Sequence, residues 1–289
     1  MSSIQMLNVT EAVLNSMTEE EFANWQIEQG KQVIYHQGCY WHQSITGFYE
    51  PLHWLARLSA EQATCPVSFS WGFRAALYNK NATAANGSIP VHLLSNLQNY
   101  GLHILSANRR KHLRQCQKKV NIFQLTCPNL LQEQGYEVVL SAAKRTEYLQ
   151  APSKTEYLTR LTNYIDTKRR LILVGLIGDK LGGYISGYAV SGTAYFEHLY
   201  ISTEAITTNI NLGLIFEFVQ ACQRSDTIHE LVNGLHSPED EKLCIFKDGI
   251  GFSVEHIPAR VQINPIIAQV IRWRYPHKYY RLTGRKERK

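Results

Sequence analysis

Leu171-Ile-Leu-Val-Gly-Leu-Ile-Gly-Asp-Lys-Leu-Gly-Gly-Tyr-Ile-Ser-Gly-Tyr-Ala-Val-Ser-Gly-Thr-Ala-Tyr-Phe-Glu-His-Leu-Tyr-Ile201 is the stretch that decides the fold. It holds three β-rich runs, Leu171–Ile177, Tyr184–Val190 and Ala194–Ile201. Gly178-Asp-Lys-Leu-Gly-Gly183 supplies the turn after the first run, and Ser191-Gly192 the turn after the second. Short runs cut by glycine-bearing turns predict an antiparallel meander. Upstream, Ser153 and Glu156 have capping-box spacing, and Tyr157, Leu158, Leu161, Tyr164 and Ile165 repeat with a helical period. A helix is therefore expected over Glu156–Lys168. Downstream, the polar loop Ser202–Asn209 leads into an apolar helix, Ile210–Arg224. A strand at Ile228–Asn233, a short helix near Glu239–Lys247 and paired strands near Val254–Ile257 and Arg260–Ile263 complete this half.

The first half is less regular. Thr18 and Glu21 again have capping-box spacing, so a short helix is expected within Met17–Trp25. Gln32–His36 and Val67–Trp71 read as strands, and 79–89 as an exposed loop. Residues 106–119 read as a basic helix with Ser106 as its N-cap, followed by a strand at Val120–Leu125.

Composition narrows the function classes. The chain has 289 residues, 44% hydrophobic and 19% charged, which suits a packed globular protein of one large or two ordinary domains. Its longest apolar runs are strand-length, well short of the roughly 18–20 residues that span a bilayer. No basic region followed by an apolar core opens the chain, so no secretory signal is expected. Six cysteines show no CxxC spacing and read as free thiols of a reducing, cytoplasmic compartment. On that reading the sequons at Asn8, Asn81 and Asn86 are accidental. Eleven histidines include no HExxH or similar ligand spacing, so no metal is expected. A G-x-S-x-G elbow and a Walker loop are likewise absent from the sequence. The net charge of +6 concentrates in Asn108–Lys119 and in the tail Arg281–Lys289, which suits phosphate-bearing partners.

The order of elements from about 156 to 263 resembles the GNAT acyltransferase core. Glu230-Leu-Val-Asn-Gly-Leu-His-Ser-Pro-Glu-Asp240 followed by Leu243-Cys-Ile-Phe-Lys-Asp-Gly-Ile-Gly-Phe252 resembles the end of a Fem-type acyltransferase domain, with Phe246-Lys247 and Gly251-Phe252 as the matching pairs. Leu105-Ser-Ala-Asn-Arg-Arg-Lys-His-Leu-Arg114 is similar to the basic helix in the first half of Fem-type enzymes. The resemblance implies an α/β fold with a mixed central sheet flanked by helices, and two GNAT-like units in tandem. The expected blocks are a degenerate half at 1–150, an acyltransferase domain at 151–275 and a basic tail at 276–289.

The resemblance also implies a site. Acyl transfer to an amine needs an anion cradle, a polarised carbonyl and a proton acceptor. The cradle corresponds to Thr207-Thr-Asn-Ile-Asn-Leu-Gly213, with Asn209, Ile210, Asn211, Leu212 and Gly213 facing the donor. This departs from the family's Gln/Arg-x-x-Gly-x-Gly/Ala pattern, because Gly213 is its only glycine. The polarising backbone is expected near Leu199 and Ile201. Glu197, with Tyr200 as acid or orienting group, is the expected proton acceptor, although strand alternation puts the two on opposite faces unless a bulge intervenes. His198 reads as structural. Asn233, His236 and Lys247 are expected substrate contacts, and Arg110 and Arg114, four apart, an expected phosphate grip.

The implied co-substrates are an acyl-CoA, an acyl carrier protein or an aminoacyl-tRNA, with an amine acceptor and no tightly bound cofactor. The competing reading is a GNAT-derived binding module, without catalysis, for RNA or another anionic partner. The segment Pro265–Tyr275 reads as a helix started by Asn264 and Pro265, packed on its own domain or docked on lipid.

Overall fold

The computed structural model describes residues 6–146, 150–162 and 164–285. The first strands and helix are Met6–Asn8 (β1), Ser16–Met17 (β2), Glu19–Glu28 (α1), Ile34–His36 (β3), Cys39–Ile45 (β4) and Phe48–Pro51 (β5). Arg57–Leu58 (β6), Gly72–Leu77 (β7), Gly87–Leu94 (β8), Ala107–Gln117 (α2) and Asn121–Leu125 (β9) follow. Helices Tyr136–Arg145 (α3) and Lys154–Leu161 (α4) precede the meander Leu171–Ile177 (β10), Lys180–Val190 (β11) and Thr193–Ile201 (β12). The chain ends in Ile210–Gln223 (α5), Glu230–Leu235 (β13), Glu241–Asp248 (α6), Ser253–Ile263 (β14), Pro265–Arg274 (α7) and Pro276–Thr283 (α8).

By contact the chain divides into two compact units. Unit 1 gathers the described residues within 1–16, 94–232 and 249–251, and unit 2 those within 17–93, 233–248 and 252–289. The expected blocks 1–150, 151–275 and 276–289 do not coincide with these units. The described residues of 94–150 pack with the meander, and the described part of the tail packs with residues 17–93. The last four positions of that tail, 286–289, lie outside the described residues.

Unit 1 is built on the predicted meander. Its strands run in the order β1-β9-β10-β11-β12-β13, antiparallel throughout except for the last pair. There Thr193–Tyr195 run parallel to Glu230–Val232. Alternation along β10 sends Ile172, Val174 and Leu176 into one apolar cluster with Val138, Val139, Tyr157 and Leu161. Gly175 lies on the opposite face, where a Cβ would meet Ile210 of α5 at 2.6 Å. Helix α5 is buried nearly all round, as its unbroken apolar sequence demands. The helix expected over 156–168 is shorter, because Thr162 already caps α4. A helix that periodicity did not single out, α3, covers part of the same face.

Unit 2 has the strand order β8-β14-β7-β5-β4-β3. Cys39, Trp41, Phe73, Ala75 and Leu77 form its core. The two strands expected at 254–263 are one strand, β14. Its first part pairs with β8, from Ser253–Leu93 to Ala259–Gly87, and its last with β7, from Ala259–Ala76 to Ile263–Gly72. Pro258 signals a break in the sequence, but its missing N–H falls where the strand passes from one partner to the other. Val67–Trp71 is not a strand. Trp71 instead stacks on Phe48 at 4.7 Å and donates its indole N–H to the Thr46 carbonyl at 2.6 Å. The expected basic tail is ordered as α8, with Tyr280 and Thr283 buried. Asn264 caps α7 as expected. That helix is only partly packed, however. Ile267 and Ile271 are half-buried, while Ile266, Val270 and Trp273 face solvent. Among the described residues no helix is long and apolar enough to cross a membrane.

Candidate functional site

The site begins with a fault in the β11–β12 ladder. Ser186 pairs with His198, but the next residue, Gly187, pairs with Phe196. Glu197 is therefore the extra residue of a β-bulge, and alternation breaks at that point. The side chains of Glu197 and His198 consequently share a face. The Ser186 hydroxyl lies 3.4 Å from both the Glu197 carboxylate and His198 Nδ1. Tyr200 joins them, its ring stacked on His198 with centroids 5.5 Å apart and planes within 18°. Gly187 makes the bulge possible. A Cβ there would meet the Tyr195 carbonyl at 2.2 Å and the Phe218 ring of α5 at 2.6 Å.

Three residues outside the expected site complete the cluster. Arg170, at the entry to β10, binds Glu197 with two nitrogens, Nε to Oε2 at 2.6 Å and Nη2 to Oε1 at 2.8 Å. The arginine side chain is 4% exposed and the glutamate 22%. A buried pair of this geometry holds both charges in place, because each loses its partner if the other leaves. Tyr164 lies under the guanidinium, with 4.4 Å from Cζ to the ring centre, and its carbonyl accepts from Nη1. Its hydroxyl donates to the third residue, Ser186, at 2.6 Å and sits 3.1 Å from His198 Nδ1.

One proton order satisfies every contact. Tyr164 gives its proton to Ser186, Ser186 gives its own to Glu197, and His198 Nδ1–H donates to Tyr164, the tautomer that leaves the lone pair on Nε2. Burial, then the Glu197 carboxylate, pushes the Tyr164 phenol well up, so it stays protonated. Burial lowers His198 below its ordinary value; Glu197 pulls the other way, and Arg170 and Arg160 reinforce the lowering. The half-exposed imidazole is thus neutral at neutral pH. Glu197, expected as the proton acceptor, is held by Arg170, and the half-exposed base on the same face is His198.

The expected donor cradle has a different environment. Asn209 adopts the left-handed conformation (φ 60°) at the start of α5, after the 3₁₀ turn Ile206–Thr208. Ile210 and Leu212 are fully buried, so only their backbone can face a ligand; Asn211 is half-buried. Gly213 faces helix α2. A Cβ there would lie 2.5 Å from Cys116 Sγ, and the Gly213 N–H donates to the Asn209 carbonyl at 3.3 Å. Burial pushes the Cys116 thiol up to about 11. Leu199 is exposed, while the Ile201 carbonyl accepts from Arg145 at 3.1 Å.

The expected grip of Arg110 and Arg114 is not formed. Arg110 Nη1 turns back to the Leu105 carbonyl at 2.6 Å and the Leu102 carbonyl at 3.5 Å. Arg114 Nε bonds the Arg110 carbonyl at 3.3 Å. Each guanidinium satisfies backbone acceptors near its own helix, which competes with convergence on a ligand. In unit 2, Asn233 and Lys247 meet, whereas His236 turns to Tyr280. Lys247 Nζ donates to the Asn233 carbonyl at 2.5 Å, and burial lowers its pKa to about 8. His236 Nδ1 lies 2.8 Å from the Tyr280 hydroxyl.

Solved structures with this arrangement of elements are known. FemX overlays with a TM-score of 0.60 at 8% identity, over 91% of this chain and 96% of its own. The fold is GNAT-like, of the Fem type. A second similar structure is a C-terminal domain (DUF2156) from Agrobacterium fabrum, described as that of a lysylphosphatidylglycerol synthetase. Its TM-score is 0.57 at 11% identity, over 92% of this chain and 96% of that one. A conserved protein of unknown function from Bacteroides thetaiotaomicron VPI-5482 gives 0.56 at 12%, over 90% and 100%. No protein-family model and no curated protein matches the chain.

Proposed function

We propose that this chain is a Fem-type N-acyltransferase that moves an aminoacyl group from tRNA to an amine, with His198 as the proton acceptor. The observation that carries the reading is the relay from His198 through Tyr164 and Ser186 to Glu197, set on the bulged strand of a Fem-type fold. In the reaction the amine nitrogen attacks the ester carbonyl carbon. A C–N bond forms, the C–O bond to the tRNA ribose breaks, and His198 Nε2 takes the amine proton and passes it to the departing ribose oxygen. Glu197, fixed by Arg170, stabilises the imidazolium that forms, and Tyr200 holds the ring by stacking.

Aminoacyl-tRNA is favoured over acyl-CoA because the one glycine of the phosphate turn is occupied by Cys116 of α2. Lys111, Arg114, Lys118 and Lys119, exposed on and beside α2, suit a polyanion. Backbone N–H groups at Ile210 and Asn211 and the exposed strand at Leu199 are the donor contacts on this reading; Asn233 and Lys247 belong to the acceptor side.

Filter binding and single-turnover transfer from a mixture of charged tRNAs to hydroxylamine, beside calorimetry with coenzyme A, test the proposal. The expected result is tRNA binding and transfer, with His198→Gln abolishing transfer while binding persists. Binding of neither donor by folded protein refutes the reading. Salt-sensitive tRNA binding without transfer assigns the chain instead to the RNA-binding class.

A further inference from the structure

The second cluster of chemistry lies within unit 2, away from every residue of the relay in sequence. His92 comes from β8, His236 follows β13 and Cys244 lies on α6. One ring nitrogen of each histidine and the cysteine sulfur all lie within 4.8 Å of one another. We propose that His92, His236 and Cys244 form a binding site for a zinc-class divalent cation.

The donor set is the first argument. Two imidazoles and one thiolate are borderline-to-soft ligands, which select zinc over magnesium or calcium. With Zn–N near 2.0–2.1 Å and Zn–S near 2.3 Å, tetrahedral ligand atoms sit roughly 3.3–3.7 Å apart. Donors already within 4.8 Å reach that spacing by small side-chain rotations.

Support around the ligands is the second. Metal-bound histidines typically have their other ring nitrogen held by a carbonyl, carboxylate or similar group. Here His92 Nδ1 faces the Phe252 carbonyl at 3.4 Å, and His236 Nδ1 the Tyr280 hydroxyl at 2.8 Å. The two rings meet edge to face with centroids 5.3 Å apart. The backbone N–H of His236 is tied to the Pro90 carbonyl at 2.9 Å, so the turn carrying it is fixed beside β8. His92 is 1% exposed, so packing around the ring holds it in place.

The charged groups near the cluster set its sign. Lys247 opposes a cation, whereas ionised Cys244 offsets it; Asp240 and Asp248 also act on this region. Binding takes up one divalent ion, forms a metal–sulfur bond and releases the Cys244 proton. Three protein ligands leave the fourth tetrahedral position to water, the arrangement of zinc sites that stay open to chemistry. The motif is invisible in the sequence because its members stand 144 and 8 positions apart and none shares a helical face with another.

The test uses the full chain, stripped with a chelator and then titrated separately with zinc and cobalt chloride. The expected result is one equivalent of zinc by calorimetry, with a proton released on comparing two buffers. Cobalt should produce a near-ultraviolet thiolate charge-transfer band together with visible bands of a four-coordinate ion. Cys244→Ser should erase the near-ultraviolet band and weaken zinc by at least about tenfold. Lys247→Met, which keeps the apolar stem, should tighten zinc. The absence of stoichiometric zinc binding by the wild-type chain overturns the proposal. So does a cobalt complex without the thiolate band, a result that needs no variant to fold. Unchanged affinity in a folded Cys244→Ser chain overturns it as well. Loss of tRNA transfer in the His198 variant leaves this site untouched, so the two proposals fail separately.

Discussion

Replacing Gly213 by alanine adds one methyl group between two packed helices, and the structure gives the size of the effect. The new carbon would stand 2.5 Å from Cys116 Sγ and 3.1 Å from Ile122 Cδ1. The first contact is about 1 Å inside the van der Waals minimum. Ile122 offers a flexible chain end and can yield, whereas Cys116 is fully buried on a short side chain. Overpacking of this kind costs about 1–3 kcal/mol. Alanine in place of glycine in a helix returns about 1 kcal/mol. The net expectation is a loss of about 0–2 kcal/mol. In a Cys116→Ala background the sulfur is gone, so the same substitution should be neutral or stabilising by up to about 1 kcal/mol. The coupling in a double-mutant cycle is then about 2 kcal/mol. Urea unfolding of the four proteins, read by far-ultraviolet circular dichroism, measures it, and hydrogen exchange at α5 amides locates it. Equal effects of Gly213→Ala with and without the cysteine would refute the argument. The glycine would then be required for some other reason, such as close approach of a donor.

Glu197→Ala removes the partner of a buried guanidinium and should cost about 3 kcal/mol in urea unfolding, whereas replacing Glu197 and Arg170 together by methionine should cost less; a larger loss in the double variant contradicts the pairing. Because His198 is lowered from its ordinary pKa of 6.5, its basic form persists as pH falls, and the acid limb of kcat/KM for transfer should lie below 6.5. A limb above that value, or one unchanged in His198→Gln, contradicts the assignment. Arg110→Ala should destabilise by about 1–2 kcal/mol through the lost carbonyl contacts, whereas Arg114→Ala should stay within about 0.5 kcal/mol. Equal losses in thermal or urea unfolding would show that the two arginines are equivalent after all.

The meander was legible because its signals are local. Gly178 and Gly192 mark the turns, and β10 begins and ends at the residues the sequence indicates. The capping box at Thr18 and Glu21 and the caps at Ser106, Ser153 and Asn264 are equally local, and all four form. What was not legible depends on distant partners. Tyr164 fits the apolar stripe of a helix, so nothing in its period marks it as a hydrogen-bond donor to Ser186, 22 residues on. Arg170 is an ordinary charge before a strand until β12 brings Glu197 beside it. A bulge at Glu197 leaves no trace in the run Phe196-Glu-His-Leu-Tyr200, although Gly187 on the neighbouring strand was the one available hint. The spacing of Arg110 and Arg114 was read correctly as one helix face, but the loop carbonyls at 102 and 105 that claim Arg110 are a tertiary fact.

The late arrival of β14 has a consequence for biosynthesis. That strand is the shared partner of β7 and β8, and it is completed only at Ile263. Strand β8 ends at Leu94, so about 170 residues must leave the ribosome before the middle of this sheet can be filled. At roughly 5–20 residues per second that is a delay of about 10–30 s. Throughout it, the backbone edges of β7 and β8 that β14 will cover are open to any passing strand. A nascent chain arrested just before residue 253 should accordingly be held by chaperones or aggregate, and one released past residue 285 should not.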